Sequence, residues 1–158
     1  MPYLIDGHNL IPKLGLRLDS PDDEQELMAL LMEFCRLRRA QAEVYFNGAT
    51  PGQTATRQLG AVTAHFVHRG SSADSAIESR LERLGRSARN WSVVSSDLRL
   101  QQAARAVHAR AVSSETFAGM MAEAKRELFE KAKDSQGKPS AEEVEAWLAE
   151  FKGRPPKS

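Results

Sequence analysis

Three short strand-like runs lead into a residue with a side-chain oxygen: Tyr3-Leu4-Ile5 into Asp6, Glu43-Val44-Tyr45-Phe46 into Asn47, and residues 91–96 into Asp97. A further acid, Asp74, opens an amphipathic stretch with Glu78 four residues on, a spacing that puts both on one face of a helix. In an open parallel sheet, sites form beyond the carboxyl ends of the strands, and the helices that follow those strands begin at the same edge. Asp6, Asp74, Glu78 and Asp97 are therefore expected to share a small volume. Carboxylates that close repel and raise each other's pKa values unless a cation intervenes, so the set implies a divalent metal. Ligands that are all oxygen favour Mg²⁺ or Mn²⁺ over Zn²⁺. The chemistry open to such a site is chemistry assisted by a bound divalent cation.

Each acid also has a local explanation. Asp6 could form an Asx turn with the backbone of His8, Asp74 could be the third-position acid of a capping box opened by Ser71, and Asp97 could be a plain helix N-cap. Glu78, close to Arg80 and Arg83, reads equally as surface. His8 and Asn9 could orient carboxylates or touch substrate, or be ordinary loop polarity. The joint placement of the acids at the ends of successive elements is what favours a site. Other chemistries fit poorly. No Gly-rich loop is followed by Lys and Ser or Thr, a phosphatase with a nucleophilic strand-end Asp wants Asp where His8 stands, and no Cys and His spacing suggests zinc.

The elements that must position these residues follow from hydrophobic period and turn chemistry. Residues 3–5 read as a strand, with Asp6-Gly7-His8-Asn9 as a loop. Leu27, Leu30, Leu31, Phe34 and Leu37 recur at helical spacing over residues 24–41, after the start signals Ser20-Pro21-Asp22-Asp23. Residues 43–46 form a second strand ended by Asn47-Gly48, followed by a polar loop to about Gly60. A third strand over 62–67 leads through Arg69-Gly70-Ser71-Ser72 into a helix with Ala73, Ile77, Leu81 and Leu84 on one face. A fourth covers 91–96, Asp97 opens a helix carrying Leu98, Ala104 and Val107, Ala111-Val112 is a short fifth strand, and residues 116–133 form a further helix. This alternation predicts an α/β fold, a mostly parallel twisted sheet with helices on both faces.

The domain is expected to span residues 1–133. Residues 134–139 are a break, and Ser140 with Glu143 matches a capping box. Val144, Trp147, Leu148 and Phe151 then make an apolar stripe expected to dock on the domain, ahead of a tail from Gly153. The chain has 158 residues, 41% hydrophobic and 27% charged, which suits one globular unit. No apolar run has the length of a membrane span, and no basic leader precedes the first strand, so no membrane association and a cytoplasmic location are expected. The single Cys35 supports no disulfide framework. A net charge of +1 gives no global pointer to nucleic acid, but Arg80, Arg83, Arg86 and Arg89 cluster, as do Arg36, Arg38 and Arg39. Such local basic surface suits a phosphate backbone, and is also ordinary solubilising surface.

Residues 3–11 (YLIDGHNLI), 44–48 (VYFNG), 72–78 (SADSAIE), 93–97 (VVSSD) and 111–117 (AVSSETF) together resemble the NYN domain of the PIN-like nuclease superfamily, in particular its YacP-like branch. The resemblance implies a PIN-like three-layer sandwich and a metal-dependent endoribonuclease, with RNA as substrate, Mg²⁺ or Mn²⁺ as cofactor and, in one branch, messenger RNA at the ribosome. It puts the catalytic metal site at Asp6, Asp74 and Asp97, with Glu78 supporting and Asn9 and Ser96 as polar neighbours. Arg57, Arg80, Arg83 and His8 are the candidates for holding RNA. One position departs from the pattern: Asn47 stands where the motif usually ends in Asp, which removes a charge from the site. The alternative is an RNA- or ribosome-binding module with weakened catalysis.

Overall fold

Alternate residues of the central strands face two different cores, and that period of two organises the molecule. In the computed structural model, which describes residues 1–15, 21–49, 56–68 and 72–135, the sheet contains β1 (Pro2–Asp6), β2 (Gln41–Ala49), β3 (Thr56–Leu59), β4 (Val62–His68), β5 (Ser92–Val94) and β6 (Arg110–Val112) in the order β3-β4-β2-β1-β5-β6. All neighbours pair in parallel except β3, which is antiparallel to β4. The helices are α1 (Gly7–Leu10), α2 (Pro21–Arg38), α3 (Ala73–Leu84), α4 (Leu98–Ala106) and α5 (Ser114–Ser135), with 3-10 turns at Ile11–Leu14 and Gly85–Asn90. Tyr3, Ile5, Ala42, Val44, Phe46 and Val94 pack with α2 and α5 on one face. Leu4, Tyr45 and Val93 pack with α3 and α4 on the other. The expected α/β class, with helices on both faces of a mostly parallel sheet, is what the chain forms.

One aromatic cluster ties the first layer together. The ring of Tyr3 on β1 lies 5.9 Å from Phe34 of α2 and 5.1 Å from Phe117 of α5, and Phe34 and Phe117 are 5.0 Å apart. Cys35 is buried beside them, and burial pushes its thiol pKa up to about 11, so it behaves as a small apolar residue. No helix among the described residues is long and apolar enough to cross a membrane.

Several local expectations need correction. Asp6-Gly7-His8-Asn9 is not an open loop: the chain enters α1 directly from β1. The tight entry depends on Gly7, because a Cβ there would lie 2.4 Å from the ring of fully buried Phe46 and 3.0 Å from the Tyr45 carbonyl oxygen. α2 stops at Arg38, before the predicted end. Arg39 is left-handed (φ 52°) and the Ala40 N–H donates to the Cys35 carbonyl at 2.9 Å, a Schellman closure that releases the chain into β2. β2 does not end at Asn47 but continues past an irregularity there. Part of the stretch read as a loop up to Gly60 is β3, an exposed edge strand whose polar residues hide the period-two signal. The helix after Asp97 buries Leu100 and Ala104, whereas Leu98 is exposed. The predicted C-terminal helix over 140–151, the tail beyond it, Ser71 and residues 50–55 lie outside the described residues.

Gly7→Ala is expected to destabilise the protein by about 1–3 kcal/mol, since the added methyl has to displace a fully packed ring. Urea unfolding measures this, and an unchanged midpoint would show that Phe46 can give way without cost.

Candidate functional site

Asp6 follows Leu4 by two positions and so shares its sheet face, toward α3 and α4. It is 8% exposed. α3 starts opposite it, and side chains satisfy the helix's first N–H groups: Asn47 Oδ1 accepts from Ala73 N–H at 2.7 Å, and Ser72 Oγ accepts from Ser75 N–H at 3.1 Å. Ser72, not Ser71, is the cap. The cap presents Asp74 in the first turn, where the helix dipole favours a negative charge. Asp6 and Asp74 face each other within hydrogen-bonding reach when a proton sits on Asp6. Burial, then the charge of Asp74, pushes the Asp6 pKa up to about 6, with the Asn9 backbone N–H opposing. Asp74 is also raised, by desolvation and then by the charge of Asp97.

Asp97 caps α4, its Oδ1 accepting from Arg99 N–H at 2.8 Å while its own N–H donates to Ser95 Oγ at 3.1 Å. The local reading of Asp97 is thus realised, and its charge still reaches Asp74. Glu78, one turn along α3 from Asp74, is engaged by Arg99: Nε lies 2.7 Å from Oε1, and Nη2 donates to Oε2 at 3.2 Å. Arg99 also feels Asp74 and Asp97. The sequence reading missed this arginine. The available signal was a cation in the first turn of a helix, where the dipole disfavours it unless acids surround it. Asp23, buried in the first turn of α2 with Oδ2 lacking a hydrogen-bond partner, was read only as a start signal.

The other candidates have structural partners. Asn9 Oδ1 accepts from Ser96 N–H at 2.9 Å and from the Ser114 hydroxyl at 2.5 Å. Ser96 Oγ donates to Glu115 at 2.7 Å and accepts from Ser114 N–H at 3.0 Å, while Lys13 pairs with Glu115 at 3.0 Å. Asn9 and Ser96 thus latch α1, the end of β5 and the start of α5 together. His8 Nε2 stands 3.4 Å from Glu24, its ring 5.5 Å from Phe46. Arg80 grips both oxygens of Glu43, with Nε at 3.0 Å from Oε1 and Nη2 at 2.9 Å from Oε2, and lies 5.3 Å from the Trp91 ring. Arg83 and Arg57 are exposed on α3 and β3.

Among the described residues, no three acidic, His or Cys side chains converge closely enough to hold an ion as they stand. The donor chemistry nevertheless fits Mg²⁺ or Mn²⁺. Asp6 and Asp74 supply oxygen alone, and their mutual repulsion is relieved by a cation. An ion of this kind needs only one or two carboxylates, with waters and substrate phosphate completing its shell.

A mostly parallel sheet between helices, with Asp6 and Asp74 meeting at its carboxyl edge, fits the PIN-like class. Within that class, the YacP-like NYN domain model matches residues 3–152, and the chain belongs to this family of RNase-type nucleases. The crystal structure of the W164L mutant of Rae1 (YacP) from Bacillus subtilis superposes with a TM-score of 0.68 at 24% identity, covering 91% of this chain and 90% of that one. A second crystal structure of Rae1 (YacP) from the same organism gives 0.67 at 20% identity, with 97% and 89% covered. At these identities the likeness is one of fold. No curated protein sequence matches the chain.

Two outcomes follow from this geometry. Asp6 has a folded pKa above its ordinary 3.8, so metal-free protein should lose stability as pH rises from about 4 to about 6 and stay at the lower level above that. Asp6→Asn should remove this dependence and stabilise the metal-free protein at pH 7 by roughly 1–3 kcal/mol. Thermal melts in chelator from pH 4 to 8 test this, and parallel curves for the two proteins would refute it.

Glu43 behaves in the opposite sense. Burial would raise its pKa, but hydrogen bonds from His65, Arg80 and Tyr45 outweigh burial and hold it at about 2. Its stabilisation is present above pH 4.5 and is lost as pH falls through about 2. Arg80→Ala should cost about 1–3 kcal/mol at pH 7 and shift acid unfolding to higher pH. Acid titration followed by circular dichroism shows whether it does.

Proposed function

We propose that this protein is a metal-dependent endoribonuclease that hydrolyses RNA phosphodiester bonds in the cytoplasm, leaving a 5′-phosphate and a 3′-hydroxyl. The carrying observation is the facing pair Asp6 and Asp74, both with raised pKa values, at the carboxyl edge of the sheet in a YacP-like NYN chain. Asp6 and Asp74 would hold Mg²⁺ or Mn²⁺, with Asp97 and Glu78 adding negative potential around them. When bound, the ion would supply a water of lowered pKa and offset charge developing on the phosphate.

The chain's own groups do the rest. Asp6 is carried on a buried strand, so its carboxyl position varies little, and the α3 cap fixes Asp74 against it. Arg99, 64% exposed, pairs with Glu78 in an ion pair of the kind that contributes about 0–1 kcal/mol, so it can exchange that partner for an RNA phosphate. Arg83 and Arg57 are exposed cations available to the backbone of a longer RNA. Arg80, committed to Glu43, is a weaker candidate for that role. RNA on the ribosome is the substrate setting that the family resemblance suggests.

A second reading, an RNA- or ribosome-binding module with weakened catalysis, is favoured by one pair of observations: Asn47 gives its oxygen to the α3 N-terminus, and Glu78 is neutralised by Arg99. Labelled RNA incubated with purified protein separates the two. Cleavage is expected with Mn²⁺ or Mg²⁺ and not in chelator, and Asp97→Asn or Asp74→Asn should lower the rate by about 100-fold or more while leaving the fold intact by circular dichroism. RNA binding and ribosome co-sedimentation without cleavage at any metal concentration would establish the binding module instead.

A further inference from the structure

Arg99 stands in the first turn of α4, where the helix dipole disfavours a positive charge, and its backbone N–H already donates to the Asp97 cap. Acids hold its side chain there. Glu78 Oε1 is 2.7 Å from Nε, and Asp74 and Asp97 add to the field that the guanidinium feels. The charge acts back on Asp74 and opposes part of the rise in its pKa. Three carboxylates on two helices therefore share one guanidinium.

The Arg99–Glu78 pair is close but incompletely made. Glu78 Oε1 is a buried atom that accepts no hydrogen bond of good geometry although Nε is so near, and the bond from Nη2 to Oε2 is long, at 3.2 Å. By contrast, Arg80 makes aligned bonds to both oxygens of Glu43. The two partners also differ in freedom. Arg99 is 64% exposed and can move into water, whereas Glu78 is 29% exposed, with Oε1 buried one turn of α3 from Asp74. A buried oxygen left without a full partner is a group that a second cation would satisfy. A divalent cation at Asp6 and Asp74 and the guanidinium of Arg99 are then alternative counter-charges for the same acids, because like charges repel at this range. An RNA phosphate offers Arg99 what Glu78 offers it, two oxygens for a paired contact.

We propose that Arg99 is a mobile counter-ion exchanged between Glu78 and the RNA backbone, masking Glu78 in the free protein and releasing it toward the cation site when a phosphate takes its place. This rests on the metal-dependent reading above and adds a coupling to it. RNA, by drawing Arg99 away, strengthens the hold of the acids on a cation, and by linkage a cation on the acids strengthens the hold of Arg99 on RNA. Arg99 is in this sense a positioning residue for Glu78 as well as a phosphate contact.

A double-mutant cycle over Arg99→Gln and Glu78→Gln in the full-length chain tests the exchange through binding alone. Arg99→Gln keeps the backbone N–H that Asp97 caps, and both side chains reach solvent, so circular dichroism should show the parent fold in every variant. Calorimetric titration with MnCl₂, without RNA, is expected to show Arg99→Gln binding the ion about 10-fold more tightly than the parent. The gain should shrink to about 3-fold or less when Glu78→Gln is already present. Arg105→Gln, which removes the same charge from the exposed far end of α4, should leave Mn²⁺ affinity unchanged. Anisotropy of a labelled single-stranded oligoribonucleotide in chelator should move the other way: Arg99→Gln weakens RNA binding about 10-fold, and Glu78→Gln tightens it only while Arg99 is present. Mn²⁺ affinity unchanged or weakened by Arg99→Gln, or RNA binding in chelator unchanged by it, would overturn the proposal and leave the metal-dependent reading standing. Strictly additive effects on both ligands would also overturn it, since they describe a general field and no exchange. If neither the parent nor any variant bound Mn²⁺, the metal-dependent reading would fall and the exchange with it.

Discussion

Asp6 ends a strand that lies between two parallel neighbours and under helices on both faces, and its carboxyl group is buried at the sheet edge. It meets Asp74 there, and two carboxyl groups at that separation disfavour each other's ionisation. Much of the surrounding structure bears on that repulsion. The start of α3 puts positive helix potential near Asp74, the Asn9 N–H opposes the Asp6 shift, and Arg99 adds a cation at the rim. The compensation is partial, as the raised pKa of Asp6 records. The remaining electrostatic deficit is the feature on which the proposed cation site rests.

Neutral side chains do most of the positioning. Asn47 occupies an N–H at the start of α3, and Ser72 occupies another, so the orientation of the helix that carries Asp74 is tied to β2. Asn9 and Ser96 do the same on the other side, joining α1, the end of β5 and α5 through hydrogen bonds that also satisfy otherwise unpaired backbone groups. An amide or hydroxyl suits this role because it adds no charge to an edge already crowded with acids.

Two arginine–glutamate pairs illustrate how burial divides similar chemistry between structure and function. Arg80 and Glu43 are mostly buried, bidentate and shared with Tyr45 and Trp91, so removing either leaves a charge without its partner. Arg99 and Glu78 are as close in distance, but Arg99 is largely in solvent, so water can hydrate the guanidinium when it leaves Glu78. The first pair belongs to the scaffold. The second can rearrange.

The sequence by itself determined the α/β class, four of the six strands nearly to their ends, and the placement of Asp6, Asp74 and Asp97 at element boundaries, because hydrophobic period and turn chemistry are local. It concealed β3, whose residues are all exposed and so show no alternation, and it read Gly7 to Asn9 as a loop because turn residues also suit a tight helical entry against Phe46. Only the tertiary structure decided which polar residues face the acids and which serve the scaffold. Asn9 bonds a serine 87 residues away and another 105 away, and Arg80 finds its glutamate 37 residues back. Those partners are chosen by how strands and helices pack, since a side chain's period gives its direction from its own element but not the group that packing brings to meet it.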